Sequence, residues 1–205
     1  MNHSTQTHTT PQGFGPSTTP RLPIPERDAM TTAQRAAADA ILNGPRKAIF
    51  GPFVPLLQTP ALMERIGKTG EALRFEGTLP DRLRELAICT VARETGNQFK
   101  WQTHAPLAIK AGVAAQAIES LAAGRRPQPL LPDEECAVDF VTELMRRHGV
   151  SDASYEASVA CFGTPQTVEL TALAGYFAMV CWIMNVARTP GPAGSATPGL
   201  TAFPA

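Results

Sequence analysis

The residue types best suited to chemistry fall within one stretch, from Pro80 to Val113. In it, Glu85 supplies a carboxylate, Lys100 an amine and His104 an imidazole. A carboxylate in partly apolar surroundings gains proton affinity, and an imidazole titrates near neutral pH, so this set is suited to moving protons. Lys100 precedes His104 by one helical turn, where its amine could bind a substrate carboxylate or act as a nucleophile.

Each of these side chains also has a structural interpretation. Glu85 could form an exposed ion pair with Arg82 one turn earlier, and His104 could be a core histidine satisfied by hydrogen bonds. Lys100 could be a solvated surface lysine, and Trp101 a packing anchor. The sequence alone leaves these alternatives open.

Two helices joined near Gly96 are predicted to position the candidate residues. Apolar residues recur at helical spacing before Gly96, which supplies the left-handed conformation that ends a helix. The second helix opens around Phe99, and Pro106 is predicted to bend it. Folding the two helices back brings Glu85 towards His104, although Glu85 is expected to lie deeper, so that contact requires a relay residue or a water molecule.

The remaining patterns are also helical and predict a single all-α domain. Helices are predicted at 31–43, 60–76, 114–123, 133–148, 151–163 and 165–188, in addition to the central pair. We expect three regions: a disordered N-terminal tail at 1–28, a helical domain at 29–188, and a flexible C-terminal tail at 189–205. Residues 170–187 are apolar nearly all round, which is typical of a buried central helix or a subunit interface and just reaches the length of a weak membrane span.

A proline-broken but apolar loop, residues 44–60, separates the first two predicted helices. Its large hydrophobic side chains are expected to cover the core. Alternatively it forms a pocket wall, in which Arg46 or Lys47 meets an acidic substrate.

Composition narrows the function classes. The formal net charge is zero, so no electrostatic footprint indicates a nucleic acid or an anionic membrane as partner. The four cysteines are far apart in sequence and form no metal-type spacing, which is typical of single buried thiols in a reducing compartment. We expect a cytoplasmic protein with no metal and no cofactor.

The motif R-L-R-E-L-A-I-x-x-V-A-R-x-T-G-x-x-F-x-W-x-x-H-x-P-L-A-x-K-A-G-V resembles the carboxymuconolactone decarboxylase family. The resemblance extends over roughly residues 29–188 and includes G-P-F near Gly51 and E-L-x-x-L-x-G-Y-F in the last helix. It implies the all-helical AhpD-like fold shared with alkyl hydroperoxidases, and a homo-oligomer whose sites a neighbouring subunit could complete.

The peroxidase branch of this family carries a glutamate, then C-x-x-C, then a histidine four residues after the second cysteine. Laid on this chain, the glutamate falls at Glu85 and the histidine at His104, whereas the two cysteines fall at Asn97 and Lys100. Without thiolates a dithiol peroxidase has no nucleophile for the peroxide oxygen. The resemblance therefore implies the fold but disfavours an alkyl hydroperoxidase activity.

The decarboxylase branch matches better, because its reaction requires no metal, flavin or thiol. It implies a cofactor-independent lyase acting on a small carboxylated lactone or a related intermediate of aromatic catabolism. We predict His104 as the acid/base, Glu85 as its orienting or proton-relaying partner, and Lys100 as anchor or charge stabiliser. Trp101, Asn97 and Arg82 are predicted to bind substrate. The alternative outside catalysis is an oligomeric protein that only binds a small molecule.

Overall fold

The computed structural model describes residues 19–44 and 46–200. Over these residues the secondary structure is helical, without β-strands. The helices are α1 (Thr32–Asn43), α2 (Phe53–Leu56), α3 (Pro60–Glu71), α4 (Asp81–Glu94), α5 (Gln98–Lys110), α6 (Ala115–Ala122), α7 (Pro132–Arg147), α8 (Asp152–Phe162) and α9 (Thr164–Ala187). A short 3-10 turn, Arg27–Ala29, precedes α1, and a π-helical turn, Ala72–Glu76, extends α3. The all-α expectation is confirmed.

Helix α4 lies at the centre and packs against α5, α7 and α9. The apolar residues whose helical spacing predicted this helix are all buried, and so is most of the remaining surface of the helix. Buried residues of α4 are Leu83, Glu85, Leu86, Ala87, Ile88, Cys89, Thr90, Val91, Ala92 and Arg93. A helix covered on all sides holds its polar side chains in fixed surroundings, which suits a site that depends on one carboxylate.

The packing is divided into two hydrophobic clusters on either side of α4. The first joins α3, α4, α7 and α9 and contains Phe177. The second joins α4, α5, α6 and α7 and contains Trp101. Helix α9 is long and apolar enough to cross a membrane, yet 56% of its most apolar window is buried inside the domain, as in a core helix.

The start of α4 is tied to α9 by a carboxylate. Glu169 accepts hydrogen bonds from the backbone N–H of Thr78 and Leu79, at 2.9 and 3.1 Å, and from the Thr78 hydroxyl at 2.7 Å. These bonds cap the loop that leads into α4, so α4 is held in register against α9.

Parts of the terminal segments contact the helical domain. The Arg21 N–H donates to the carbonyl of Ala187 at 2.8 Å. At the other end, Leu200 is only 1% exposed, and Gln98 exchanges hydrogen bonds with it through Nε2 and Oε1, at 3.2 and 2.8 Å. Residues 1–18 and 201–205 lie outside the described part of the chain.

Candidate active site

Glu85 and His104 form a buried hydrogen-bonded pair. Nδ1 of His104 lies 2.6 Å from Oε2 of Glu85. Glu85 is 6% exposed and His104 is 1% exposed. The expectation that a relay residue or water must join them is wrong, because the helices pack in a register that brings the two side chains into direct contact.

The turn between α4 and α5 produces this register. Gly96 adopts φ +62°, the left-handed conformation that a glycine reaches without steric cost. Asn97 then caps α5, since its Oδ1 accepts the N–H of Lys100 at 2.8 Å. Its Nδ2 donates to the Cys181 carbonyl at 3.1 Å and to Asn185 at 2.8 Å, which fixes the start of α5 against α9.

The imidazole is held neutral at pH 7. Burial lowers the pKa of His104 from 6.5 to about 4; the hydrogen bond to Glu85 opposes this shift and the charge of Lys100 adds to it. Because Nδ1 makes the hydrogen bond to the Glu85 carboxylate, Nε2 is the ring nitrogen left for another partner. Within the described residues, Nε2 has no hydrogen-bond partner. Nε2 is therefore the atom through which a proton can be exchanged with a substrate.

Aromatic rings from α9 form one wall of the site. Phe177 meets His104 edge to face, with ring centroids 5.4 Å apart, and meets Tyr176 in the same manner at 5.3 Å. Gly70 of α3 makes room for Tyr176, because a Cβ added there would lie 2.0 Å from the tyrosine hydroxyl oxygen. The wall excludes water from one side of the imidazole and maintains its low pKa.

Lys100 faces the same wall and is 9% exposed. Its Nζ lies 4.9 Å from the centroid of the Phe177 ring and has no hydrogen-bond or ion-pair partner among the described residues. Burial lowers the pKa of Lys100 from 10.5 to about 8, and the charges of Arg74 and Arg46 add to the lowering. The interpretation of Lys100 as a solvated surface residue does not fit this burial.

Three arginines carry charges that act on Glu85, Lys100 or His104, and sequence reasoning missed two of them. Arg74 lies on the π-helical turn, has no hydrogen-bond or ion-pair partner within residues 46–200, and its charge acts on both Lys100 and His104. Arg84 places Nε 3.9 Å from Oε1 of Glu85. A π-helical turn has no sequence signal, so Arg74 could not be recognised from the sequence. Arg84 is one of several arginines on α4 and had no feature that set it apart.

Arg46 is the third arginine. The sequence predicted it as a residue that could meet an acidic substrate in a pocket wall. Its side chain is only 7% exposed, and its Nε lies 3.5 Å from Oε1 of Glu71. It lines a groove of about 510 Å³ between α1 and α3, whose walls are rich in alanine. Lys47, the other residue named there, is exposed and donates to the Asn43 carbonyl at 3.4 Å. Neither Glu85 nor His104 lines this groove.

The other predicted substrate-binding residues are engaged elsewhere. Arg82 pairs with Asp133 at 2.7 Å and with Glu134 at 2.8 Å, which ties α4 to α7. Arg82 therefore does not form the alternative ion pair with Glu85, whose carboxylate bonds to His104. Trp101 belongs to the second hydrophobic cluster, and its Nε1 donates to the Pro198 carbonyl at 3.1 Å. Asn97 has the capping bonds given above. The structure thus brings together Glu85, Lys100 and His104, and gives the other three predicted residues contacts within the fold.

Residues 60–143, from α3 into α7, match the carboxymuconolactone decarboxylase family. The segment contains both Glu85 and His104, and the structural neighbours of the whole chain are AhpD-like.

Several solved structures have a fold similar to that of this chain over most of its length. An uncharacterised peroxidase-related protein from Silicibacter sp. TM1040 superposes with a TM-score of 0.71 at 14% identity, covering 89% of this chain and 97% of its own. A peroxidase-related protein with an alkylhydroperoxidase AhpD core, from Ralstonia eutropha JMP134, gives 0.68 at 16% identity, with 85% and 93% covered. The debrominase Bmp8, an alanine variant of one cysteine in complex with 2,3,4-tribromopyrrole, gives 0.65 at 11% identity, with 85% and 92% covered. No curated protein matches the sequence.

Burial disfavours the thiolate form of three of the four cysteines. Cys89 and Cys181 are buried, and burial raises the pKa of Cys89 well above its usual value and that of Cys181 to about 11. Cys136 and Cys161 contact each other between α7 and α8, away from Glu85, and burial raises the pKa of Cys136 to about 11. In residues 19–44 and 46–200, no cluster of three or more histidine, cysteine or acidic side chains could hold a metal ion.

Proposed function

We propose that the protein is a cofactor-independent lyase that removes CO2 from a small carboxylated molecule. The substrate class we expect is a carboxylated lactone or a related intermediate of aromatic catabolism. The observation that carries the proposal is the buried hydrogen bond of 2.6 Å between His104 and Glu85. It sits in a segment of the carboxymuconolactone decarboxylase family, which supports an enzyme-like role on a small molecule.

The pair can supply the proton that decarboxylation requires. Loss of CO2 leaves an electron pair on carbon, which a nearby acid must protonate. Binding of an anionic substrate adds a negative charge beside His104 and favours its protonated form, while Glu85 balances the imidazolium through Nδ1. Nε2 then delivers the proton to carbon. Glu85 acts here as the positioning and charge-balancing partner.

The arginines provide the anchor for the substrate carboxylate. Arg74 has a buried Nε without a hydrogen bond, whereas Arg46 already pairs with Glu71 and Arg84 with Asp81. A guanidinium removed from water without a partner is unfavourable until an anion binds to it. The charge of Arg74, which acts on the buried Glu85, therefore favours an anionic ligand.

A hydroperoxide reaction is the less favoured alternative. The debrominase and peroxidase-related neighbours share the fold at low identity. Here Lys100 lies where the second thiol of a peroxidase would stand, and the buried cysteines have raised pKa values that keep them as thiols. Non-catalytic binding of a small molecule is the other alternative, because the hydrogen bond between His104 and Glu85 would equally satisfy a core histidine.

We also propose that the protein is a homo-oligomer formed through α9, and we keep the cytoplasm as its predicted location. An uncharged stripe with the spacing of one helix face runs along the outer side of α9. Its members are Val168, Ala172, Gly175, Met179, Trp182 and Val186. Trp182 is 56% exposed and Val186 is 63% exposed. The Gly175 backbone is open, so a second copy of the helix can approach it closely.

A substrate screen tests the proposed function. Purified protein is offered carboxylated lactones, 3-oxo acids and organic hydroperoxides, and CO2 release and peroxide loss are recorded in parallel. We expect CO2 from at least one carboxylate and no peroxide loss above that of a thiol-blocked sample. Peroxide loss that disappears on thiol blocking, with no CO2 release, would replace the lyase with a reductase.

A further inference from the structure

We propose that Nζ of Lys100 is a catalytic nucleophile that forms an imine with the ketone carbonyl of a 3-oxo carboxylic acid. The inference rests on the proposed lyase function and narrows its substrate class. It assigns to Lys100 a covalent role, whereas the arginines hold the carboxylate.

The surroundings of Lys100 favour a free amine. Its side chain is buried, and within the described residues Nζ makes no hydrogen bond or ion pair that would hold it as an ammonium; Cys181 and Glu85 favour that form only through longer-range electrostatic interactions. The Phe177 ring, whose centroid is 4.9 Å from Nζ, adds a cation–π attraction. The charges of Arg74 and Arg46 act against a further positive charge, and burial lowers the pKa of Lys100 to about 8. About one amine in ten is then unprotonated at pH 7, compared with roughly one in a few thousand for an ordinary lysine.

The amine is also held in place. Lys100 lies in the first turn of α5, where Asn97 accepts its backbone N–H at 2.8 Å and is itself bonded to α9. His104 follows one turn later on the same helix. A nucleophile, a proton-transfer group and a cationic cluster therefore share one buried region, as imine chemistry requires.

The reaction balances without any outside oxidant or reductant. The amine adds to the ketone carbon, and the carbinolamine loses water to give a protonated imine. The C–C bond to the carboxylate then breaks, its electron pair moves towards the iminium nitrogen, and CO2 leaves with an enamine remaining. His104 protonates the enamine carbon, and water hydrolyses the resulting imine to release the ketone and restore the Lys100 amine.

Reductive trapping tests the proposal. The full-length protein is incubated with acetoacetate and sodium borohydride, and the modified lysine is located by peptide mass spectrometry. We expect reduced adducts on Lys100, carrying an isopropyl group where CO2 has left. Lys47, Lys68 and Lys110 are exposed and serve as internal comparators. Labelling of these three at the same rate as Lys100, or an unlabelled Lys100, would overturn the inference.

Variants distinguish a failure of the imine proposal from a failure of the proposed lyase function. Lys100→Arg keeps the charge but forms no imine, so we expect no adduct at this position and CO2 release at least 100-fold slower than in the wild type. Lys110→Met is the matched control and should be trapped at Lys100 normally. Undiminished CO2 release by Lys100→Arg would overturn the imine while leaving the lyase intact. Trapping at Lys100 without any CO2 release would support the nucleophile and contradict the lyase.

Discussion

Nδ1 of His104 lies 2.6 Å from Oε2 of Glu85, with both side chains buried between α4, α5 and α9. This contact joins two residues separated by 19 positions in the chain. It places an imidazole, neutral at pH 7, against a carboxylate that can balance its charge when it takes up a proton.

Replacing Arg74 should weaken substrate binding more than it slows the reaction. Arg74→Gln removes a charged donor that has no partner within the described residues. Loss of a charge-assisted hydrogen bond is worth about 1.5–3 kcal/mol, so we expect KM to rise roughly 10- to 100-fold. Steady-state kinetics on the substrate found by the screen would measure this. Arg65→Gln, an exposed arginine on α3, is the control, and an equal effect of both variants would contradict the anchor.

Replacing Lys100 by an apolar residue should stabilise the protein. The folded state lowers the pKa of Lys100 from 10.5 to about 8, so the unfolded chain binds more protons between these values. The resulting cost is present in full below pH 8 and disappears as the pH rises to 10.5; it is on the order of 3 kcal/mol at most. Urea unfolding of Lys100→Met at pH 7 should show a higher free energy of unfolding than the wild type, with the difference shrinking towards pH 10.5. Lys110→Met should show neither change.

Much of this site could be predicted from the sequence, because the periodicity around Gly96 specifies two helices that fold back on each other. Glu85, Lys100 and His104 were identified by type and spacing. The register of a helix pair depends on side-chain packing, so the direct Glu85–His104 contact could not be derived. Arg74 could not be found because a π-turn has no sequence signal of its own.

Contacts made by the ends of the chain also could not be predicted from the sequence. Composition predicted a loose tail from residue 189, yet Leu200 is buried in the second hydrophobic cluster. The side chains of Gln98, Trp101 and Gln102 on α5 all donate to carbonyls of residues 197–200. Contacts of an irregular segment with a distant helix have no periodic pattern, so sequence analysis does not detect them.

Adding a methyl group at Gly70 should disturb the aromatic wall. A Cβ there would lie 2.0 Å from the hydroxyl oxygen of Tyr176 and 2.5 Å from its ring. Overpacking of this kind costs about 1–3 kcal/mol, so Gly70→Ala should lower the midpoint of urea unfolding. Gly149→Ala, whose Cβ would meet nothing within 4 Å, is the control. A stability of Gly70→Ala equal to that of the control would show that Tyr176 does not press on α3.

A charge on the outer face of α9 should dissociate the oligomer. Trp182→Glu places a carboxylate in the middle of the uncharged stripe, where burial against a second copy would be unfavourable. Light scattering should give the mass of a dimer or larger assembly for the wild type and of a monomer for the variant. Tyr155→Glu on α8 is the control, since Tyr155 is 47% exposed and lies outside the stripe. A wild type that is already monomeric at high concentration argues against the proposed interface.

The central claim is that His104 moves the proton during catalysis. The direct measurement compares CO2 release by the wild type and by His104→Ala, with circular dichroism confirming that the variant retains its helical fold. Removing a general acid/base slows a reaction by about 10²- to 10⁴-fold, and we predict a loss of that size at saturating substrate. A folded His104→Ala protein that releases CO2 at the wild-type rate would contradict the mechanism.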